Sequence, residues 1–251
     1  MLELVGMKKK RKLITRRKAR AGENLFKVAG NRVVVYIDAA NLEKSVQTLG
    51  LVLPTRITKG IIWKADKNLW QADYKKLYRF FKENSKLVGI SFYTARFGTK
   101  THDKFLTFLK KSGYRLVTKK IKRIYDHRAT LPRRCSYCGT KNEISTRFKC
   151  VKCKRLNDVS IERKADFDVE ISTDAVSWIE NYDTFILFSG DSDFVYLTKF
   201  LKKQGKTTVI LSRRGHIANE LRTSPYVDCY QDIYGLREEF LTKKPNPPVA
   251  G

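Results

Sequence analysis

Val33-Val34-Val35-Tyr36-Ile37-Asp38 is short, β-branched and apolar until it stops on an acid. A strand with one wet face alternates apolar and polar residues, whereas an unbroken apolar run suits a central strand covered on both sides. The residues around it repeat the theme. A helix is predicted from about Asn41, and another from Ala72 to Lys82, where Tyr74, Leu77, Tyr78 and Phe81 recur at three- and four-residue steps. Aromatics at that spacing read as core and not as a cofactor box. Further strands are predicted at Val88 to Tyr93, Tyr114 to Thr118, Thr184 to Phe188, Thr207 to Leu211 and Val227 to Tyr230. Helices are predicted at Asp103 to Lys111, Asp166 to Glu180 and Phe194 to Gln204. Strands alternating with helices predict an α/β fold, a mainly parallel sheet sandwiched by helices, with functional groups outside the strands' carboxyl ends. There is no internal repeat, and the absence of a glycine-rich phosphate loop argues against a nucleotide-triphosphate or dinucleotide enzyme.

The charge is lopsided. Lys and Arg number 52 against 25 acids, a formal net charge of +27 in 251 residues. A field of that size attracts polyanions, and nucleic acid is the favoured partner over a merely solvated basic surface. No run of about 18 apolar residues is present, so no membrane span is expected. Residues 1–20 hold no apolar stretch long enough for a secretory signal, and the expectation is a cytoplasmic protein. Residues 1–30 read as a disordered basic arm, a tether in which the Lys8 to Lys12 run has an alternative reading as a nuclear import signal.

Acids stand where the fold rule puts function: Asp38 after the first strand, Asp168 at a helix opening, and Asp191 and Asp193 within Ser189-Gly190-Asp191-Ser192-Asp193 after a later strand. Brought together, they would suit Mg²⁺ or Mn²⁺, hard cations that take oxygen ligands and serve phosphodiester hydrolysis. Each has a plainer reading. Asp193 could be only a helix N-cap. Asp174 lies six residues past Asp168, about 120° around the same helix, and is expected to be structural or to support the site from behind.

Three segments carry a family likeness. Tyr36-Ile37-Asp38-Ala39-Ala40-Asn41-Leu42 resembles the first-strand signature of NYN domains, Phe167-Asp168-Val169 followed by Ile171 and Asp174 resembles their central segment, and Ser189-Gly190-Asp191-Ser192-Asp193-Phe194 resembles their Ser-Gly-Asp-x-Asp-Phe motif. The motifs fall in order over about residues 33 to 233. The resemblance implies a PIN-like fold and metal-dependent cleavage of RNA, with Asp38, Asp168, Asp191 and Asp193 on the metal and Asn41 orienting water or phosphate. Two departures bear on the register: alanines at 39 and 40 where the family often has glycine, and Lys164-Ala165-Asp166 before the central acid, which leaves Asp166 as a rival to Asp168.

Cys135, Cys138, Cys150 and Cys153 form two C-x-x-C pairs separated by eleven residues, a spacing similar to a zinc ribbon. A site closed by four thiolates leaves no position for water, so this zinc would be structural. Basic residues crowd the segment, among them Arg133, Arg134, Lys152, Lys154, Arg155 and Lys164, interleaved with Tyr125, Tyr137 and Phe148. Charge with aromatics suits single-stranded or structured RNA. Arg96, Arg213 and Arg214 follow strands and could hold phosphates at the catalytic rim. His216 is expected to cap or pack, and Cys229 to be buried.

The chain thus divides into the arm (1–30), an α/β domain in two parts (31–131 and 157–235), a zinc-ribbon insertion (132–156) and a tail (236–251). The leading expectation is a ribonuclease. The alternatives are an RNA-binding module that does not cleave and a DNA-binding regulatory protein.

Overall fold

The computed structural model describes residues 25–27, 32–49, 70–125, 130–134, 138–145, 147–158 and 161–243. β1 (Arg32–Asp38) leads into α1 (Ala39–Gln47), then β2 (Trp70–Ala72), α2 (Tyr74–Asn84), β3 (Lys86–Arg96), α3 (Lys100–Lys111) and β4 (Tyr114–Lys120). An excursion of short strands follows: β5 (Lys122–Tyr125), β6 (Thr130–Arg134), β7 (Lys141–Ser145), β8 (Arg147–Lys149), β9 (Leu156–Asp158) and β10 (Ile161–Lys164). The chain then resumes with α4 (Asp168–Ser177), β11 (Thr184–Phe188), α5 (Val195–Lys203), β12 (Thr207–Ser212), α6 (Asn219–Arg222), β13 (Cys229–Asp232), α7 (Arg237–Phe240) and β14 (Leu241–Lys243).

Six strands form one sheet in the order β13-β12-β11-β1-β3-β4. Every pairing in it is parallel. β1 lies inside, with Val35 opposite Ile186 on one side and Ile90 on the other. Because successive side chains leave a strand on opposite faces, its apolar run divides between two cores. Val33, Val35 and Ile37 pack with Leu42 and Val46 of α1 and Leu77, Phe80 and Phe81 of α2. Val34 and Tyr36 pack with Ile171 and Ala175 of α4 and Leu197 and Leu201 of α5. Each fully buried large side chain stabilises the fold by about 1.5–3 kcal/mol, which is why the run tolerates no polar interruption.

Several boundaries differ from expectation, each for a local reason. α1 begins at Ala39, not Asn41, because Asp38 caps it. β3 extends beyond Val88 to Tyr93 at both ends because β1 and β4 pair along it. α4 opens at Asp168 and not Asp166, the chain kinking inward at buried Phe167. β13 lies two residues later than Val227 to Tyr230, where β12 is available to pair.

The expected domain limits also move. Leu25 is fully buried and Phe26 meets the rings of Phe80 and Phe81, so folded structure reaches into the region read as an arm. Residues 1–24 lie outside the described residues. At the other end Leu236, Phe240 and Leu241 are buried, and β14 pairs with β2, so the fold continues through the start of the expected tail. The insertion is wider than residues 132–156, because its base is the antiparallel pair of β5 and β10. Above that base β6 pairs with β7 and β8 with β9.

Candidate active site

The carboxyl ends of β1 and β11, neighbours in the sheet, set Ile37 opposite Phe188, so that Asp38 and Ser189 follow side by side. Asp38 ends β1 and caps α1: its Oδ1 accepts the backbone N–H groups of Ala40 (3.1 Å) and Asn41 (3.3 Å). Its Oδ2 accepts the side-chain amide of Asn41 and the hydroxyl of Ser189 (3.5 Å). The residue is only 9% exposed. Burial raises its pKa, hydrogen bonds from Asn41 and Ala40 oppose the rise, and the charge of Asp191 adds to it.

Beyond β11 the chain turns sharply through Ser189 and Gly190. A Cβ built on Gly190 would stand 2.1 Å from the carbonyl oxygen of His216 and 2.7 Å from Oγ of Ser212, so only glycine lets the loop after β12 close over the turn. Gly190 accepts the N–H of Ala218 at 2.8 Å. Its own N–H reaches Oδ1 of Asn41 at 3.5 Å. Asp191 then caps a 3-10 turn, Ser192–Phe194, accepting the N–H of Asp193 at 3.1 Å. The capping role considered for Asp193 therefore falls to Asp191, and Asp193 stands exposed within the turn.

Asp168 opens α4, which packs against the Ser192–Phe194 turn. Its pKa is pushed up to about 6, first by burial and then by the charges of Asp191, Asp38, Asp166 and Asp193. Acids from three separate segments of the chain thus act on one carboxyl. Among the described residues, no group of three or more His, Cys, Asp and Glu side chains is gathered closely enough to hold a metal ion. Mutual repulsion of carboxylates gives a physical reason for such spacing. As donors they are all oxygens, the set a hard divalent cation takes.

The other expected site residues are dispersed. Asp174 is a structural acid: Tyr93 donates its hydroxyl to Oδ2 at 2.8 Å and Arg115 donates to both oxygens at 2.7 and 3.3 Å. Burial opposes ionisation there, but these donors outweigh it and hold the carboxyl below its ordinary range. Arg213 pairs with Asp232 at 2.7 Å and lies against the ring of Tyr234, so it is committed within the fold. Arg214 is exposed and Arg96 faces Asp103 at 3.4 Å. His216 shares a hydrogen bond with Thr48 at 2.9 Å, and burial followed by Lys44 and Arg213 lowers its pKa. Cys229 is half-buried. Lys152, Lys154 and Arg155 are exposed at the tip of the insertion. Arg133, Arg134 and Lys164 lie in β6 and β10, and their side chains lie outside the described part of the structure.

At the cysteines, backbone N–H groups of Cys153 and Lys152 draw the pKa of Cys150 down, with the Cys153 side chain adding to this. Lys154 and Gly139, each just after the second cysteine of a pair, both take left-handed backbone (φ 58° and 74°). Cys135 lies outside the described residues.

Ser189 is a site residue the sequence reading passed over. Its hydroxyl, buried at the end of an apolar strand, meets both Asp38 and the N–H of Asp191. A small polar residue closing such a strand was the available signal.

The comparisons agree with this fold. The family model for the NYN domain matches residues 32–228. A protein from Synechococcus elongatus described as "Low amplitude and bright protein LabA" is 26% identical over 194 residues, covering 76% of this chain and 88% of its own. The crystal structure of a Vibrio parahaemolyticus protein of unknown function shares the fold with a TM-score of 0.51 at 18% identity, covering 84% of this chain and 96% of its own. From β1 through β12 and beyond, the chain belongs to the NYN domain family, whose fold is of the PIN-like nuclease type.

Proposed function

We propose that the protein is a divalent-metal-dependent ribonuclease, with Asp38, Asp168, Asp191 and Asp193 as its metal-holding acids. The observation that carries this reading is the gathering of acids at the sheet's carboxyl edge, where burial and then the charges of Asp191, Asp38, Asp166 and Asp193 raise the proton affinity of Asp168, and burial and Asp191 raise that of Asp38. A Mg²⁺ or Mn²⁺ ion bound there would activate water and neutralise charge on a scissile phosphate. The chain's part is positional. Asn41 holds Asp38 with its amide N–H and the Gly190 turn with its amide oxygen, and so acts as a positioning residue and not as a ligand of phosphate. Ser189 ties Asp38 to the backbone of Asp191. The net charge of +27 supports RNA as the polyanion, with exposed Arg214 and the insertion's exposed Lys152, Lys154 and Arg155 as basic groups for the backbone.

For the insertion we infer one structural zinc on Cys135, Cys138, Cys150 and Cys153. The spacing supports it, as do the two left-handed residues that close the pairs and the N–H groups that stabilise a thiolate at Cys150. Stoichiometric zinc in purified protein, lost in Cys150→Ser, is the expected result.

Incubating labelled single-stranded and hairpin RNAs with Mn²⁺ and either wild type or Asp191→Asn tests the nuclease reading. Cleavage by wild type alone supports it. The spread-out carboxylates favour a second reading, an RNA-binding module that does not cut. Binding without cleavage by either form would favour that module.

A further inference from the structure

Tyr196 stands apart from the packing that explains Phe200, the other aromatic of α5. It is 79% exposed, and among the described residues its ring and hydroxyl have no hydrogen-bond or ring partner. Phe194, two residues earlier, is fully buried, as is Leu201. Keeping a tyrosine ring in water forgoes the gain of burying it, and its place is three residues beyond Asp193, on the first turn of the helix that follows the acidic motif.

Its surroundings have the chemistry of a nucleic-acid track. Lys199 and Lys203 follow Tyr196 at i+3 and i+7, on the same face of α5. Exposed Val169 adjoins Asp168 on α4, whose opening meets the Ser192–Phe194 turn. On the other side of β1, exposed Phe97 follows the carboxyl end of β3, its edge against His102. Apolar and aromatic surface therefore borders the carboxylates, and lysines lead away from them along one helix. Bases inside a duplex are already stacked and offer no face to such a ring. An unpaired base does, and aromatic rings interleaved with basic side chains are how single strands are gripped without sequence preference.

We propose that Tyr196 is a stacking platform for an unpaired base next to the scissile phosphate, with Lys203 and Lys199, which lies over the ring of Tyr226 at 5.7 Å, following the backbone. This rests on the RNA-cleaving reading above and adds a base-binding residue to it.

The test uses the full chain, fluorescence anisotropy at fixed salt, and an unstructured RNA strand compared with its blunt duplex. A 2-aminopurine within the single strand reports stacking directly. Wild type is expected to prefer the single strand and quench the 2-aminopurine. Tyr196→Ala is expected to weaken single-strand binding by roughly 5- to 150-fold, the range for losing one stacked base, and to abolish the quench. Its duplex binding should be unchanged, and Tyr196→Phe should behave as wild type. The residue is 79% exposed, so the melting temperature of Tyr196→Ala should stay close to that of wild type. If wild type binds and cuts RNA while Tyr196→Ala matches it in single-strand affinity and quench, the stacking inference is overturned and the nuclease reading stands. If wild type binds no RNA, both fall together.

Discussion

Asp38 and Asn41 are locked to each other: the amide nitrogen of Asn41 donates to one oxygen of Asp38, and its backbone N–H donates to the other. The acid is therefore set in place by the first turn of the helix it caps. Asp38→Asn keeps a good N-cap, so its stability is expected to stay within about 1 kcal/mol of wild type. Metal-dependent RNA cleavage is expected to fall at least about 100-fold, the scale of losing one charge-stabilising group. Thermal melts beside a cleavage assay check this. A folded Asp38→Asn with full activity would remove Asp38 from the site.

Gly190→Ala is expected to be damaging out of proportion to one methyl group. The new Cβ would meet the backbone carbonyl of His216, which cannot rotate away, so the loop after β12 must lift from the turn. Overpacking of this kind costs about 1–3 kcal/mol, and the shift would carry Asp191 out of position. Chemical denaturation and cleavage should both register the change. An unchanged denaturation midpoint would show that the loop yields freely.

Asp168 gives a pH dependence with a definite sign. Its folded-state pKa is raised to about 6, so the folded protein holds this proton more tightly than the unfolded chain does. The stability so gained is present below the ordinary carboxylate range and is lost as pH rises through about 6. Without divalent metal, Asp168→Asn should therefore melt higher than wild type at pH 7, and the difference should shrink towards pH 4. A variant that melts lower than wild type at pH 7 would contradict the raised affinity of Asp168 for its proton.

Asp174 behaves in the opposite sense. Its pKa is depressed by Arg115 and Tyr93 against the effect of burial, so its stabilisation is full above the ordinary carboxylate range and is lost as pH falls through its lowered value. Asp174→Ala strands the hydroxyl of buried Tyr93, at a cost of about 1–3 kcal/mol. Arg115→Ala, which removes a partly exposed partner, should cost about 0–1 kcal/mol. Urea titrations of the two variants test that order, and equal losses would contradict it.

The central strand was legible because Val33 to Ile37 admits no other environment, and β11 was read with its observed limits for the same reason. Asp38 stood out because it ends such a strand, Asp191 and Asp193 because they follow one, and Asp168 because it opens a helix. Their arrangement was not: that Asp191 caps the turn while Asp193 stands free depends on a 3-10 step that side-chain periodicity cannot reveal. Asp174 could be separated from Asp168 by helical angle alone, but its partners Tyr93 and Arg115 lie 81 and 59 residues away. The ends of the domain were misjudged because Leu25, Phe26 and Phe240 sit in polar stretches of sequence and acquire apolar surroundings only when α2 presents Phe80 and Phe81.

Manganese binding to the full chain, followed by calorimetric titration, tests most directly whether carboxylates from three elements act on one cation. The account predicts saturable binding by wild type that each of Asp38→Asn, Asp168→Asn and Asp191→Asn sharply weakens, with Asp174→Asn close to wild type. No saturable binding by wild type, or binding indifferent to all three substitutions, would contradict it.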